Sequence, residues 1–205
     1  MESTRLDEGK RIEDESFQYI DARITMPYPE GEITKRVVHA TADLSFADVM
    51  VFKGDAVVAG IEAIKNGGNV VTDVKMVSAG VNAQELRKFG GEVKCFIDEK
   101  DTRALASEER ITRSRAAFRV HAEEIRGNII AVGNAPTALL ELCRLVEMGL
   151  TPALIIAVPV GFVGAREAKE RILEFDVPCI AVRGERGGSP VAASIVNAII
   201  SLSKE

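Results

Sequence analysis

From residue 69 onward the chain alternates short β-branched apolar runs with stretches in which apolar residues recur at helical spacing. The runs lie at 69–72, 92–97, 128–132, 153–158 and 178–182. Several are continuously apolar rather than alternating, as in Ala153-Leu154-Ile155-Ile156-Ala157-Val158, the pattern of strands covered on both faces. Helices are predicted over 55–65, 82–88, 112–126, 136–148, 165–175 and 190–202, with Gly127 and Gly149 as stops. Strand and helix in this alternation predict a mostly parallel sheet between helical layers. The first part reads as two helices, about 13–22 and 30–43, the second opened by Pro27-Tyr28-Pro29. The expected fold class is therefore α/β, a three-layer α/β/α arrangement preceded by N-terminal helices. No repeat or composition shift divides the 205 residues, so one domain over 1–205 is expected.

Composition narrows the class of partner. A net charge of −5 gives no bulk electrostatic reason to expect nucleic acid, and the absence of Trp, with only two Tyr, weakens any reading built on base stacking. No apolar run approaches the roughly 20 residues of a membrane helix, and Met1 to Arg11 is too polar for a signal peptide, so no membrane association and a cytoplasmic location are expected. Cys95, Cys143 and Cys179 are odd in number and never paired as CxxC, which argues against a disulfide framework or a structural zinc site. All three read as buried small hydrophobes.

One of only two histidines, His39, lies in the run Arg36-Val37-Val38-His39-Ala40-Thr41-Ala42-Asp43. In a helix, spacings of i−3 and i+4 put Arg36, His39 and Asp43 on one face, a cation and an anion with opposed effects on the imidazole. The run equally suits a packed histidine bonded to backbone. His121 reads as a solvated helix-face residue. Three strand-to-helix junctions are rich in small residues: Gly133 to Thr137, Pro159 to Arg166 and Arg183 to Pro190. In a parallel sheet they share the edge where α/β proteins bind ligands, although short turns need the same residues. Arg166, Lys169, Arg183 and Arg186 interleave with them and suggest a cationic rim for a large anion. Asp73 suits a helix cap or a substrate contact, and Thr112 or Ser114 caps a helix on which Arg113 points into the cleft or stays on the surface. No GxGxxG, Walker pattern, DxHxxG or GxSxG is present, and the scattered His and Cys give no metal set.

Seven strings taken together carry a resemblance: Ser16-Phe17; Arg36 to Asp43; Thr72-Asp73-Val74-Lys75-Met76-Val77; Thr112-Arg113-Ser114; Gly133-Asn134-Ala135-Pro136-Thr137-Ala138-Leu139; Pro159 to Ala165; and Arg183-Gly184 with Gly187-Gly188-Ser189. In this order and spacing, from about Ile12 to Ile199, the chain resembles the precorrin-8X methylmutase, or cobalt-precorrin-8 methylmutase, family. The resemblance implies an isomerase of corrin biosynthesis that moves a methyl group from C-11 to C-12 of ring C, giving hydrogenobyrinate or cobyrinate, with no cofactor. It implies His39 as proton donor and acceptor, Ser16, Arg36 and Arg113 as substrate contacts, and a homodimer with active sites near the interface. Within the same strings, Thr72, Asp73, Asn134, Thr137, Gly161 and Gly164 are further candidate substrate contacts. Cobalt, where present, would be carried by the substrate. A tetrapyrrole ringed by carboxylates suits scattered arginines and helix N-termini, with Val160, Phe162 and Val163 under the apolar macrocycle. The filling of the last loop, Glu185-Arg186, departs locally from the family pattern.

Overall fold

Ile129 and Ala131 of strand β4 (Ile129–Val132) pack into one apolar cluster, Ile130 and Val132 into another, and all four are fully buried. The same division runs through β5 (Leu154–Ala157) and β6 (Cys179–Val182), which explains why these runs are apolar without alternation. Each such Ile or Val contributes on the order of 1.5–3 kcal/mol by leaving water. The computed structural model describes residues 2–204, with side chains from residue 8 onward. With β1 (Met50–Lys53), β2 (Val70–Thr72) and β3 (Val93–Lys94), the strands form one sheet in the order β1-β6-β5-β4-β2-β3. Every pairing is parallel except that of β1 with β6.

Residues of helices α1 (Glu2–Asp21), α2 (Glu30–Thr41), α3 (Ala56–Lys65), α4 (Lys75–Gly80), α5 (Ala83–Arg87) and α10 (Ser189–Leu202) join the first cluster. Those of α7 (Arg113–Val120), α8 (Pro136–Glu147) and α9 (Ala165–Ile172) join the second, and α6 (Lys100–Glu108) packs against α7. The expected three layers are present. The chain leaves β2 outward to β3 and returns on the other side to β4, β5 and β6, so its direction of winding changes between β2 and β4. At such a switch point the loops after the strands diverge and open a crevice.

Several expectations need correction. Strand β1 was not anticipated: its run Met50-Val51-Phe52-Lys53 is short, and as an edge strand only Met50 is buried. Helices α4 and α6 were also missed, since α6 buries only Thr102 and Ala106 and so lacks an apolar stripe. The helix expected over 112–126 stops at Val120, where His121 (φ −103°, ψ 35°) turns the chain into a single 3-10 turn, Ala122–Glu124. The first helix begins at Glu2 rather than near residue 13, because its early turns are polar and carry no periodic signal. Cys143 and Cys179 are buried as expected, whereas Cys95 is half-buried. Among the described residues no helix is long and apolar enough to cross a membrane.

Candidate active site

Helix α2 has Glu30 and Glu32 in its first turn, favourable at the positive end of the helix dipole, and is pinned to α10 by Ile33, Val37 and Val38. It ends at Thr41, because Ala42 adopts a left-handed conformation (φ 53°, ψ 31°). The break corrects the expected Arg36–His39–Asp43 face. Asp43 leaves the helix to cap the 3-10 turn Leu44–Asp48, accepting from the Ser45 N–H at 3.0 Å and the Ser45 hydroxyl at 2.6 Å, and it pairs with Arg186. His39 stays in the last turn of α2, exposed, its ring stacked on Phe17 of α1 with centroids 4.8 Å apart. Among the described residues no hydrogen bond claims its nitrogens. The Arg36 guanidinium lies 4.5 Å from the same Phe17 ring and donates to Glu13 at 2.7 Å. One phenyl ring thus orients both polar side chains. Beside them opens a cleft of about 810 Å³ lined by Ile12, Ser16, Tyr19, Val38, His39 and Asp43. The Ser16 hydroxyl donates back to the Ile12 carbonyl at 2.7 Å.

The loops at the sheet edge continue from this cleft. Arg186 covers the Phe46 ring at 4.3 Å and donates to the Ser45 hydroxyl at 2.8 Å. It is a structural tie rather than a free rim cation. Lys169 is likewise corrected: it is 1% exposed, and its ammonium donates to the Arg186 carbonyl at 2.8 Å. Burial pushes that ammonium down to about 8, with Glu185 opposing. Arg166 is exposed and paired with Glu170 at 2.8 Å. The Gly161 N–H donates to the Glu185 carbonyl at 3.0 Å, joining two of the loops. Gly164 (φ 74°) begins α9 in the left-handed region, where a side chain would be strained. Between these glycines Phe162 and Val163 stand 96% and 89% exposed, and Val160 also faces outward.

At the switch point Asp73 is fully buried, with one carboxylate oxygen accepting from the N–H groups of Asn134 (2.8 Å) and Ala135 (2.6 Å) and the other from Gly133 (3.1 Å). Burial pushes its carboxyl above the usual range, against these three donors. Asp73 therefore shapes the loop from inside, and α4 carries no side-chain cap. Thr72 is also buried, sharing a 2.7 Å hydrogen bond with Ser78. Neither offers its polar atoms to the edge. Gly133 allows close approach, since a Cβ there would meet Val77 at 2.8 Å and the Ser189 Cα at 3.0 Å. Asn134 is exposed, and Thr137 shares a 2.7 Å hydrogen bond with Thr112, the N-cap of α7.

Arg113, next to that cap, is exposed and donates to Asp98 at 3.0 Å. Lys75 and Arg103 pair with the same carboxylate. Because α7 and α2 cover opposite faces of the sheet, Arg113 does not reach the His39 cleft, although both lie among groups at the same edge. Behind Arg113, the fully buried Glu141 of α8 binds Arg115, Arg119 and Arg144 at 2.7–2.9 Å. Burial would raise its carboxyl, but the three guanidiniums hold it at about 2. His121 is not a solvated residue: its ring stacks on Phe96 at 4.2 Å, with Nε2 3.4 Å from Asp101. Among the described residues no group of three or more His, Cys, Asp or Glu could hold a metal ion.

Residues 11–202, from the cleft helix to the end of α10, match the family model described as precorrin-8X methylmutase. The chain belongs to the precorrin-8X methylmutase family. It is 42% identical to the cobalt-precorrin-8 methylmutase of Priestia megaterium, over 95% of this chain and 88% of the relative. It is 38% identical to the precorrin-8X methylmutase of Pseudomonas aeruginosa, over 94% and 95%. The crystal structure of the Thermus thermophilus precorrin-8X methylmutase superposes with a TM-score of 0.87 at 35% identity, covering 94% of this chain and 97% of that one.

Methylmutases are isomerases, and for a member of this family the polar groups divide into two sets. His39, Ser16 and Arg36 gather around the α1–α2 cleft, whereas Thr72, Asp73, Asn134, Thr137 and Arg113 gather at the switch point. Residues that sequence reasoning passes over are Glu13, Phe17 as a stacking platform, Glu141 and the Asp98 cluster. Phe17 was detectable, because it adjoins Ser16 in one of the seven strings. The others act through contacts between distant elements and leave no local pattern.

Proposed function

We propose that this protein moves a methyl group from C-11 to C-12 of ring C in precorrin-8X or cobalt-precorrin-8, with His39 giving and taking the proton that assists the shift. The relatives carry the name of this reaction's class. The observation that supports the role of His39 is its placement: an exposed imidazole, fixed in plane by Phe17, on the wall of an open, largely apolar cleft of about 810 Å³. A cleft of that size suits one edge of a macrocycle. Histidine is the side chain that both donates and accepts a proton near neutral pH.

The reaction is an isomerisation and needs no external group. The methyl group breaks its bond to C-11 and forms one to C-12. A proton placed on ring C makes the conjugated system electron-poor at the migration terminus, and its return to His39 closes the cycle. A positioned general acid contributes about 10² to 10⁴ in rate. Arg36, on the same ring platform, is a cation placed to offer a peripheral carboxylate a charge-assisted bond. The reading includes a cytoplasmic location and a homodimer with active sites near the interface, and the exposed Phe162 and Val163 beside the loops support the dimer.

His39→Asn tests it. The variant should fold, retain a bound coloured corrinoid and lose conversion of precorrin-8X by about two orders of magnitude or more. Turnover at the wild-type rate would exclude the proton-transfer role. Retained corrinoid binding with no turnover even in the wild type would point to a binding module on the same scaffold. Running metal-free and cobalt-loaded substrate in parallel, followed by absorption spectra, assigns the natural substrate.

A further inference from the structure

Lys75, Arg103 and Arg113 come from the start of α4, the middle of α6 and the start of α7, and all three converge on Asp98 in the loop before α6. One Asp98 oxygen accepts from Arg103 at 2.9 Å and Arg113 at 3.0 Å, and the other pairs with Lys75. Among the described residues no other carboxylate pairs with any of these cations. With the flanking Glu99, Lys100 and Asp101 included, four cations face three carboxylates, a small local surplus of positive charge in a chain whose net charge is −5. Each cation is more than half exposed, and each guanidinium uses a single nitrogen on Asp98, so further donors face solvent. Each exposed ion pair stabilises a fold only slightly, so this network is compatible with a binding role as well as a structural one. It lies beside the switch-point loop. Lys75 follows Asp73 by two residues, and the neighbour of Arg113, Thr112, is bonded to Thr137.

We propose that Lys75, Arg103 and Arg113 form a subsite for a peripheral carboxylate of the tetrapyrrole, and that Asp98 fills it in the free protein as an internal stand-in. Asp98 demonstrates the fit, because a carboxylate already sits there with both oxygens engaged. An incoming carboxylate competes with it and inherits charge-assisted donors from two guanidiniums and an ammonium. Asp98 keeps the three cations pre-arranged and lowers the affinity for anions that engage by one weak contact. The identity of the ligand rests on the methylmutase reading, whereas the carboxylate chemistry of the subsite does not.

Uroporphyrin, a fluorescent tetrapyrrole ringed by carboxylates, is the probe, titrated at low salt into the full-length wild type, Asp98→Asn and the double variant Lys75→Met/Arg103→Met. Asp98→Asn is expected to bind roughly three- to tenfold more tightly, because a competing internal anion is removed, and the double variant to bind weaker by a similar factor. Removal of any carboxylate favours a polyanion at low salt, so Glu62→Gln, exposed on α3 across the sheet, is the matched charge control. A merely structural ion-pair role predicts equal gains in the two variants, which would overturn the proposal. Weakened or unchanged binding by Asp98→Asn overturns the proposal, as does wild-type affinity in the double variant or no binding by the wild type. Absence of precorrin-8X turnover by the wild type, with the Asp98→Asn gain intact, would refute the reaction and leave the subsite standing.

Discussion

Asp73 at the switch point allows a prediction in which two large effects oppose each other. Asp73→Asn preserves side-chain size and removes the charge and one acceptor. In the native loop one oxygen serves the N–H groups of Asn134 and Ala135 and the other serves Gly133. An amide has only one oxygen, so its better orientation keeps two bonds and turns an NH2 group against the Gly133 N–H. Two donors are then unsatisfied where solvent exposure is zero. Each costs about 1–3 kcal/mol, and relief of the buried charge offsets part of that, so the variant should lose about 2–5 kcal/mol. The opposing effect is relief of burying a charge. Burial raises the Asp73 carboxyl, and a raised carboxyl contributes less stability as pH climbs through its unfolded and then its folded pKa. Three short N–H contacts, one at 2.6 Å, make the hydrogen bonds the stronger of the two effects. Urea unfolding at pH 7, with a slope of roughly 2 kcal/mol per molar, should show the midpoint fall by about 1–2.5 M. Exchange of the Gly133, Asn134 and Ala135 amides should accelerate in parallel. An unchanged or increased midpoint would refute this ordering, because desolvation would then outweigh the hydrogen bonds.

Glu141→Gln should destabilise by about 2–4 kcal/mol at pH 7, tempered by water reaching the half-exposed arginines. The Glu141 carboxyl is held at about 2 against an ordinary 4.5, so its contribution is complete above about pH 4.5 and is lost as pH falls toward 2. The wild-type and variant unfolding free energies should therefore converge in that window, and a gap that stays constant down to pH 3 would contradict the ionic origin. Lys169→Met has the reverse sign. With a folded value near 8 against 10.5, the buried ammonium costs stability below pH 8, and that cost fades as pH rises toward 10.5. Losing its single bond to the Arg186 carbonyl offsets most of the relief, so the variant should range from neutral to about 2 kcal/mol more stable at pH 7. A loss above about 2 kcal/mol in a thermal melt would mean the ammonium is better satisfied than by one carbonyl.

The three central strands were legible because burial on both faces removes alternation, and a run such as Leu154-Ile155-Ile156-Ala157 has no other stable home. The helices that pack on them were legible for the complementary reason, a broad apolar face. What failed were elements held by little apolar contact. Strand β1 buries one residue of four, and α6 buries two of nine. Their positions follow from pairing with β6 and packing on α7, which are contacts between segments remote in the chain.

The same distinction runs through the site. His39, Ser16 and Arg36, named from the sequence, lie together in the structure, but the alignment expected of His39 with Asp43 fails at a single left-handed Ala42 that no glycine or proline announces. Asp43 is drawn off by Arg186, 143 positions away, and Lys169 is buried beneath that same loop. Charge in the sequence marked the cations along this edge, yet did not separate those bound into the fold from those left exposed. Arg186 and Lys169 are committed to the fold, whereas Arg36 shares an exposed ring platform and Arg113 shares one carboxylate with two other cations. Binding capacity at this edge therefore follows from which donors remain after the internal hydrogen bonds are made. Only assembled geometry supplies that remainder, and it points to the Asp98 cluster, which no local motif distinguishes, as strongly as to His39.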